Sequence, residues 1–280
     1  MINAEIKRTI NIKVLIVLLI IGVFMLIYNA NNFIGDINSI KSDVINEAIK
    51  MNVDANEMEK IKTEVNTYIK SYGNSYMAWR FSVWGYEIVC ILLATSVCAF
   101  SYIVDKKSGI LKNILIRVSK KRFFITKYLI NGISGGIIIN IPVIIVTGIF
   151  FLKFGVGTLP TLEAYFPKGF MSEYFITNPN LYILFFGVVL FFIGFTYSTF
   201  AMAVAMFTKN IISTILIPLI YWFGGSLVTG ALNLYNLAPW NIYYFYADQL
   251  YSFKAGVIHC LILLIISTGV IYNEYRKEEI

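Results

Sequence analysis

The chain has 280 residues, of which 58% are hydrophobic, and a net charge of +7 at neutral pH; its mean hydropathy is +0.71. A soluble domain of this length does not sustain such apolarity. The basic excess lies in short stretches between apolar runs rather than on one face, which argues against a nucleic-acid-binding domain. Runs such as Ile137–Phe151 and Val188–Phe207 are continuously apolar and lack the alternation of a transmembrane β-barrel. The fold class expected is therefore an all-α polytopic membrane protein, a single transmembrane domain over residues 1–280.

In chain order, the first predicted span is Ile12–Tyr28, preceded by Lys7, Arg8 and Lys13. A basic flank before the first span places the N-terminus in the cytoplasm. The same pattern resembles a signal peptide, but Tyr28-Asn29-Ala30-Asn31 is a poor small-x-small cleavage site, which favours a retained anchor helix. Residues 29–82 form an extracytoplasmic insertion. Ile37, Ile40, Val44 and Ile45 recur at helical intervals, as do Met58, Ile61, Val65 and Tyr68, and Asp54 to Glu57 has the spacing of an N-terminal cap. This predicts an outer helix–turn–helix, whose apolar stripes either pack together or serve as a gate or platform.

The second predicted span, Val83–Val104, contains Glu87, an acidic residue inside an apolar run. Intramembrane carboxylates are costly and often functional. Glu87 lies only ~6 Å inside the outer end, where it reaches the interface or pairs with Arg80 on the same helix face. The segment Asp105–Lys127 follows, with eight Lys/Arg and one Asp. That density assigns it to the cytoplasmic side. Within it Ile110, Ile114, Leu115 and Val118 fall at helical spacing and form one apolar stripe, with Lys112, Arg117, Lys120, Lys121 and Arg122 elsewhere around the segment.

The third predicted span, Tyr128–Leu152, contains Gly132 and Gly136, a small-xxx-small pair that lets helices approach closely. Asn140 and Pro142 follow, the proline bending the helix. The fourth span is Leu181–Phe207, with Phe185, Phe186, Phe191, Phe192 and Phe195 facing lipid or a greasy path. A tight turn at Thr208–Asn210 leads into the fifth, Ile211–Leu232, which carries Pro218. Residues 233–253 crowd Trp240, Tyr243, Tyr244, Tyr246 and Tyr251 before the last span, which predicts an outer interfacial or re-entrant element with aromatic anchors. Pro239 holds Ala238 extended between two short helices. The sixth span, Ala255–Asn273, returns the C-terminus to the cytoplasm.

Cys90, Cys98 and Cys260 all lie in apolar runs, so no disulfide framework is indicated, and one histidine, His259, cannot build a His-rich metal site. No P-loop, His-Glu-x-x-His helix or Gly-x-Ser-x-Gly elbow occurs. The chain is not expected to be an enzyme or to hold a cofactor, so an energy source has to be a gradient or another subunit.

The layout resembles the permease subunit of a type-2 ATP-binding-cassette exporter. The residues that carry the resemblance are Asp105, Gly109, Leu111, Leu115, Ser119, Lys120 and Lys127, which match an acid-x-acid-x-Gly-Thr-Leu stretch and the Ser-Lys and later Lys after it. Lys107, Ile110 and Arg117 depart from the pattern. The resemblance implies that 105–127 is a coupling segment docking on a separate ATPase, with Asp105, Ser108, Gly109, Ile110, Leu111, Ile114, Leu115, Ser119 and Lys120 as docking residues. It implies ATP and magnesium on that partner, and a second permease chain, the same or homologous. Glu87, Asn140, Pro142 and Pro218 are the intramembrane polar or kink sites. The apolar, aromatic spans suit an amphipathic cargo such as an antimicrobial peptide or drug, in a bacterial cytoplasmic membrane. Attachment of 105–127 to anionic lipid is the simpler alternative for that segment. For the whole chain the alternatives are a gradient-driven carrier or a non-transporting anchor or sensor.

Overall fold

The computed structural model describes residues 12–51, 53–156, 159, 166–208, 210–248 and 250–277. The expectations resting on Lys7, Arg8 and Lys209 lie outside them. The secondary structure is helical, with no strand among the described residues. The α-helices are α1 (Ile12–Lys50), α2 (Ala55–Tyr72), α3 (Ser75–Ser82), α4 (Glu87–Lys107), α5 (Ile110–Arg117), α6 (Lys120–Phe154), α7 (Ser172–Thr177), α8 (Pro179–Phe207), α9 (Ile211–Ala231) and α10 (Phe253–Lys277). Five of them, α1, α6, α8, α9 and α10, contain stretches long and apolar enough to cross a membrane. The count is six if α3 and the start of α4 form one broken span. The fold defines a multi-pass α-helical membrane protein.

The chain divides into two compact units, one of residues 22–86 and 142–166, the other of residues 1–21, 87–141 and 167–280. In the smaller unit a helix end at Tyr28, where the first predicted span stops, is corrected. The helix α1 continues without a break for 39 residues, because the polar Asn29–Asn32 stretch contains no proline and Gly35 stays helical. At 1.5 Å per residue it is about 58 Å long, nearly twice the ~30 Å hydrocarbon core. The expected outer hairpin is therefore the second half of α1 followed by α2. Asp54 stands at the N-cap of α2, but its side chain makes no capping hydrogen bond.

The second predicted span is corrected in the same way. Its first residues form a turn, with Gly85 at φ +76°, so the long helix begins only at Glu87. Arg80 therefore belongs to the short helix α3, and the expected seven-residue register with Glu87 on one helix does not exist. The Arg80 guanidinium lies over the Phe81 and Trp84 rings, 5.7 and 6.0 Å from their centroids. Asn74 caps α3 by accepting from Met77 N at 3.0 Å. Phe33 stacks on Phe81 at 3.5 Å, and Asn29 Nδ2 donates to the carbonyls of Ser82 and Trp84, fastening α1 to the α3 turn.

The larger unit is built around α8, which packs on α4, α9 and α10. Asn178 and Asn210 cap α8 and α9 by accepting from Leu181 N and Ile212 N at 3.3 and 3.1 Å, so both helices start where the apolar runs do. The small-residue stripe of α6 lies directly on α8. A Cβ at Gly132, Gly135 or Gly136 would stand 2.5–2.6 Å from Phe195, Ser198 or Phe191, and Ser198 Oγ donates to the Asn131 carbonyl at 2.8 Å. The backbones meet because these side chains are absent.

Candidate docking segment and intramembrane polar residues

Asp105 ends the apolar part of α4, and the helix stops two residues later. Ser108 N and Oγ both donate to the Val104 carbonyl, at 2.9 and 2.7 Å. Gly109 then takes φ +72°, a left-handed conformation that L side chains resist. A Cβ there would meet nothing within 4 Å, so glycine serves the turn and not a close approach. The short helix α5 follows, Val118 is extended, and Ser119 O accepts from Phe123 N as α6 begins. The 105–127 segment is thus three pieces: the end of α4, α5, and the first two turns of α6.

Asp105 and Lys127 close this arrangement. Lys127 Nζ donates to Asp105 Oδ2, and the two residues are 1% and 2% exposed respectively. A charge so buried requires a partner, and this pair ties α4 to α6 across the 22 residues that contain α5. Lys106 Nζ donates to the Met206 carbonyl at 3.4 Å and lies over the Tyr102 ring.

The apolar stripe of α5 is turned into the protein. Leu111 is buried in a cluster with Tyr102, Phe123, Phe124, Met202 and Met206, and Ile114 and Leu115 pack against it. Gly109, Ile110 and Val118 are half-buried, and Ser108 and Ser119 are exposed. The opposite face carries Asn113 and Arg117 in the open, together with Ile116, which is 83% exposed. Lys107, Lys121 and Arg122 are exposed beside it, and Lys120 is half-buried.

The intramembrane candidates are not gathered into one site. Glu87 is buried at the start of α4, and its Oε1 accepts from the Tyr244 hydroxyl at 2.6 Å. Its Oε2 is buried without a hydrogen-bond partner among the described residues. Burial, and next the neighbouring Glu87 charge, push the Tyr244 hydroxyl above the ordinary tyrosine range, so it stays a donor. Asn140 Nδ2 donates to the Gly136 carbonyl of its own helix at 2.9 Å. Pro142 and Pro218 are buried within α6 and α9.

The aromatic element after α9 consists of three 3₁₀ turns, Tyr235–Leu237, Pro239–Ile242 and Tyr244–Tyr246. Ala238 is extended before Pro239, as its position demands. Tyr243, Phe245 and Tyr246 are fully buried, with ring centroids 5.9, 6.0 and 5.5 Å from Phe186. Trp240, Tyr244 and Tyr251 are half-buried above them. His259 Nε2 lies 2.7 Å from the Leu237 carbonyl, and Nδ1 lies 3.1 Å from the Tyr221 hydroxyl. A carbonyl only accepts, so Nε2 is the donor in the contact with Leu237. Both nitrogens are used in holding α9, α10 and the first 3₁₀ turn together. No group of three or more metal-ligating side chains occurs among the described residues.

Three partnerships escaped the sequence reading: Asp105 with Lys127, Glu87 with Tyr244, and His259 with Tyr221. The isolated acid in a basic segment was a signal for the first; nothing in spacing marked the other two. No protein-family model, curated protein or solved structure matches this chain.

Proposed function

We propose that the chain is the membrane-spanning permease subunit of an ATP-driven exporter, crossing the membrane six times with both termini in the cytoplasm. The 105–127 segment docks there on a separate ATPase subunit that carries ATP and magnesium, and a second permease chain completes the pathway for an amphipathic cargo. The observation that supports this reading is the buried Asp105–Lys127 pair. It makes the end of α4, α5 and the start of α6 one mechanical piece, as a segment that transmits force to two membrane helices requires. Because Leu111, Ile114 and Leu115 face inward, the docking contacts fall on Ile116, Arg117, Lys107 and Arg122.

Purification of the tagged chain from its native membrane tests this. An ATP-hydrolysing subunit is expected to copurify, and Ile116→Asp with Arg117→Glu is expected to release it while the chain stays folded. Cargo transport by the isolated chain with no ATPase present overturns the reading.

A further inference from the structure

The start of α6 and the end of α10 enclose a groove of about 410 Å³ that the proposed function does not use. The two helices are joined at its floor, where the Tyr128 hydroxyl lies 3.3 Å from Thr268 Oγ1. Lys121 is seven residues before this contact and Arg276 eight residues after it. At 1.5 Å per residue each lies roughly 11–12 Å along its helix in the same direction. The groove therefore has two cations at one end. The Arg276 guanidinium is held over the Tyr272 ring, 5.2 Å from its centroid. Neither Lys121 nor Arg276 has a carboxylate partner among the described residues.

The other end has the opposite chemistry. Ile125 and Leu129 line the groove, and the same face of α6 continues at four-residue steps through Ile133 and Ile137, all four of them exposed. On α10, Ile265, Ile262 and Leu261 are likewise exposed below Thr268. These are spans of a multi-pass membrane protein, so hydrocarbon covers those faces. A ligand in this groove must be anionic at one end and aliphatic at the other, and it must enter from the bilayer. The volume falls within the roughly 300–1,000 Å³ of ligand pockets, enough for a headgroup and the upper part of a chain, with the remainder in the bilayer.

We propose that this groove binds one anionic glycerophospholipid, with its phosphate between Lys121 and Arg276 and an acyl chain over Ile125 and Leu129. Basic pockets between membrane helices recognise lipid headgroups by this combination. The lipid joins α6 to α10 at the level of the headgroups, beside the cluster in which Ile271 of α10 packs with Phe123 and Phe124 of α6.

The full chain in nanodiscs containing equal amounts of phosphatidylcholine and phosphatidylglycerol provides the test, with retained lipid read by native mass spectrometry. Wild type is expected to retain phosphatidylglycerol over phosphatidylcholine. Lys121→Gln and Arg276→Gln should each lower that preference about fivefold, as expected for ~1 kcal/mol per basic side chain near an anionic surface, and Lys121→Arg should keep it. Ile125→Trp, which fills the groove and leaves the charge unchanged, should lower retention of both lipids. Lys168→Gln with Lys254→Gln, on exposed positions that do not line the groove, should leave the preference unchanged. The proposal is overturned if the Lys121 and Arg276 variants keep the preference, if millimolar inorganic phosphate displaces the adduct as well as lipid does, or if cysteines at Ile125 crosslink two copies. Each of these readouts is independent of any ATPase.

Discussion

Two connectors of the larger unit carry similar sequence signals and fold in opposite senses. The basic connector between α4 and α6 and the aromatic connector between α9 and α10 both mix apolar with polar side chains, and both suit a membrane surface. In the aromatic one, Tyr243, Phe245 and Tyr246 go inward and pack on Phe186. In the basic one a single cation among the described side chains, Lys127, is buried together with its acid, while Lys107, Arg117, Lys121 and Arg122 stay in the open. The difference follows from desolvation. A ring with one terminal hydroxyl can be buried whole at the cost of one hydrogen bond, whereas each buried ammonium or guanidinium needs its own counter-charge. The basic connector has one acid, and among its described side chains one cation is buried, the one that pairs with it.

The largest effect expected is on that pair. Lys127→Met leaves Asp105 buried without its counter-charge and should cost about 3–5 kcal/mol, the range for removing one partner of a buried ion pair. Thermal unfolding in detergent measures it. Replacing both residues, Asp105→Asn with Lys127→Gln, should recover most of the loss. A Lys127→Met protein as stable as wild type would mean that Leu111 and its cluster, not the pair, hold the basic connector.

The aromatic connector breaks at its backbone. Phe170 N donates to the Phe245 carbonyl at 2.8 Å, and a Cβ at Gly169 would stand 1.8 Å from that oxygen. Gly169→Ala must move main chain and should cost about 1–3 kcal/mol, as overpacking does. Gly109→Ala in the basic connector meets no atom and should lose only the left-handed penalty, about 1–2 kcal/mol. Gly109→Asn should lose less, because asparagine tolerates that conformation. Equal losses for Gly109→Ala and Gly109→Asn, by the same unfolding measurement, would remove backbone conformation as the reason for the glycine.

Much of the helical frame was legible. The starts of α8, α9 and α10 fall within two residues of the expected positions, because their apolar runs are continuous and Asn178 and Asn210 cap the first two. The end of α1 was not, since loss of apolarity at Asn29 ends a hydrophobic run but not a helix. The turn at Gly85 was hidden for the converse reason: Phe81–Tyr86 stays apolar through a break in the helix. At the candidate site, Asp105, Gly109 and Lys127 stood out as separate positions and the α5 stripe as a stripe. Spacing did not disclose that Asp105 and Lys127 bond across 22 residues, nor that the stripe faces the protein's own core. Both depend on how α4, α6 and α8 pack.

The smallest expected change in stability separates the connectors most sharply. Ile116→Ser and Arg117→Gln alter side chains that are exposed and should shift stability by no more than about 0.5 kcal/mol, the usual range for surface substitutions. In the aromatic connector no such silent change exists at Tyr243 or Tyr246, which are fully buried. If 105–127 docks on an ATPase, the silent substitutions at Ile116 and Arg117 must nonetheless weaken association, measured by copurification of that subunit. An 83% exposed isoleucine gains nothing from the fold, so burial of its side chain can add stability only through a partner or the lipid surface. Loss of association without loss of stability assigns this face to a partner. Unchanged association would leave the exposed cations nothing but water and anionic headgroups to contact.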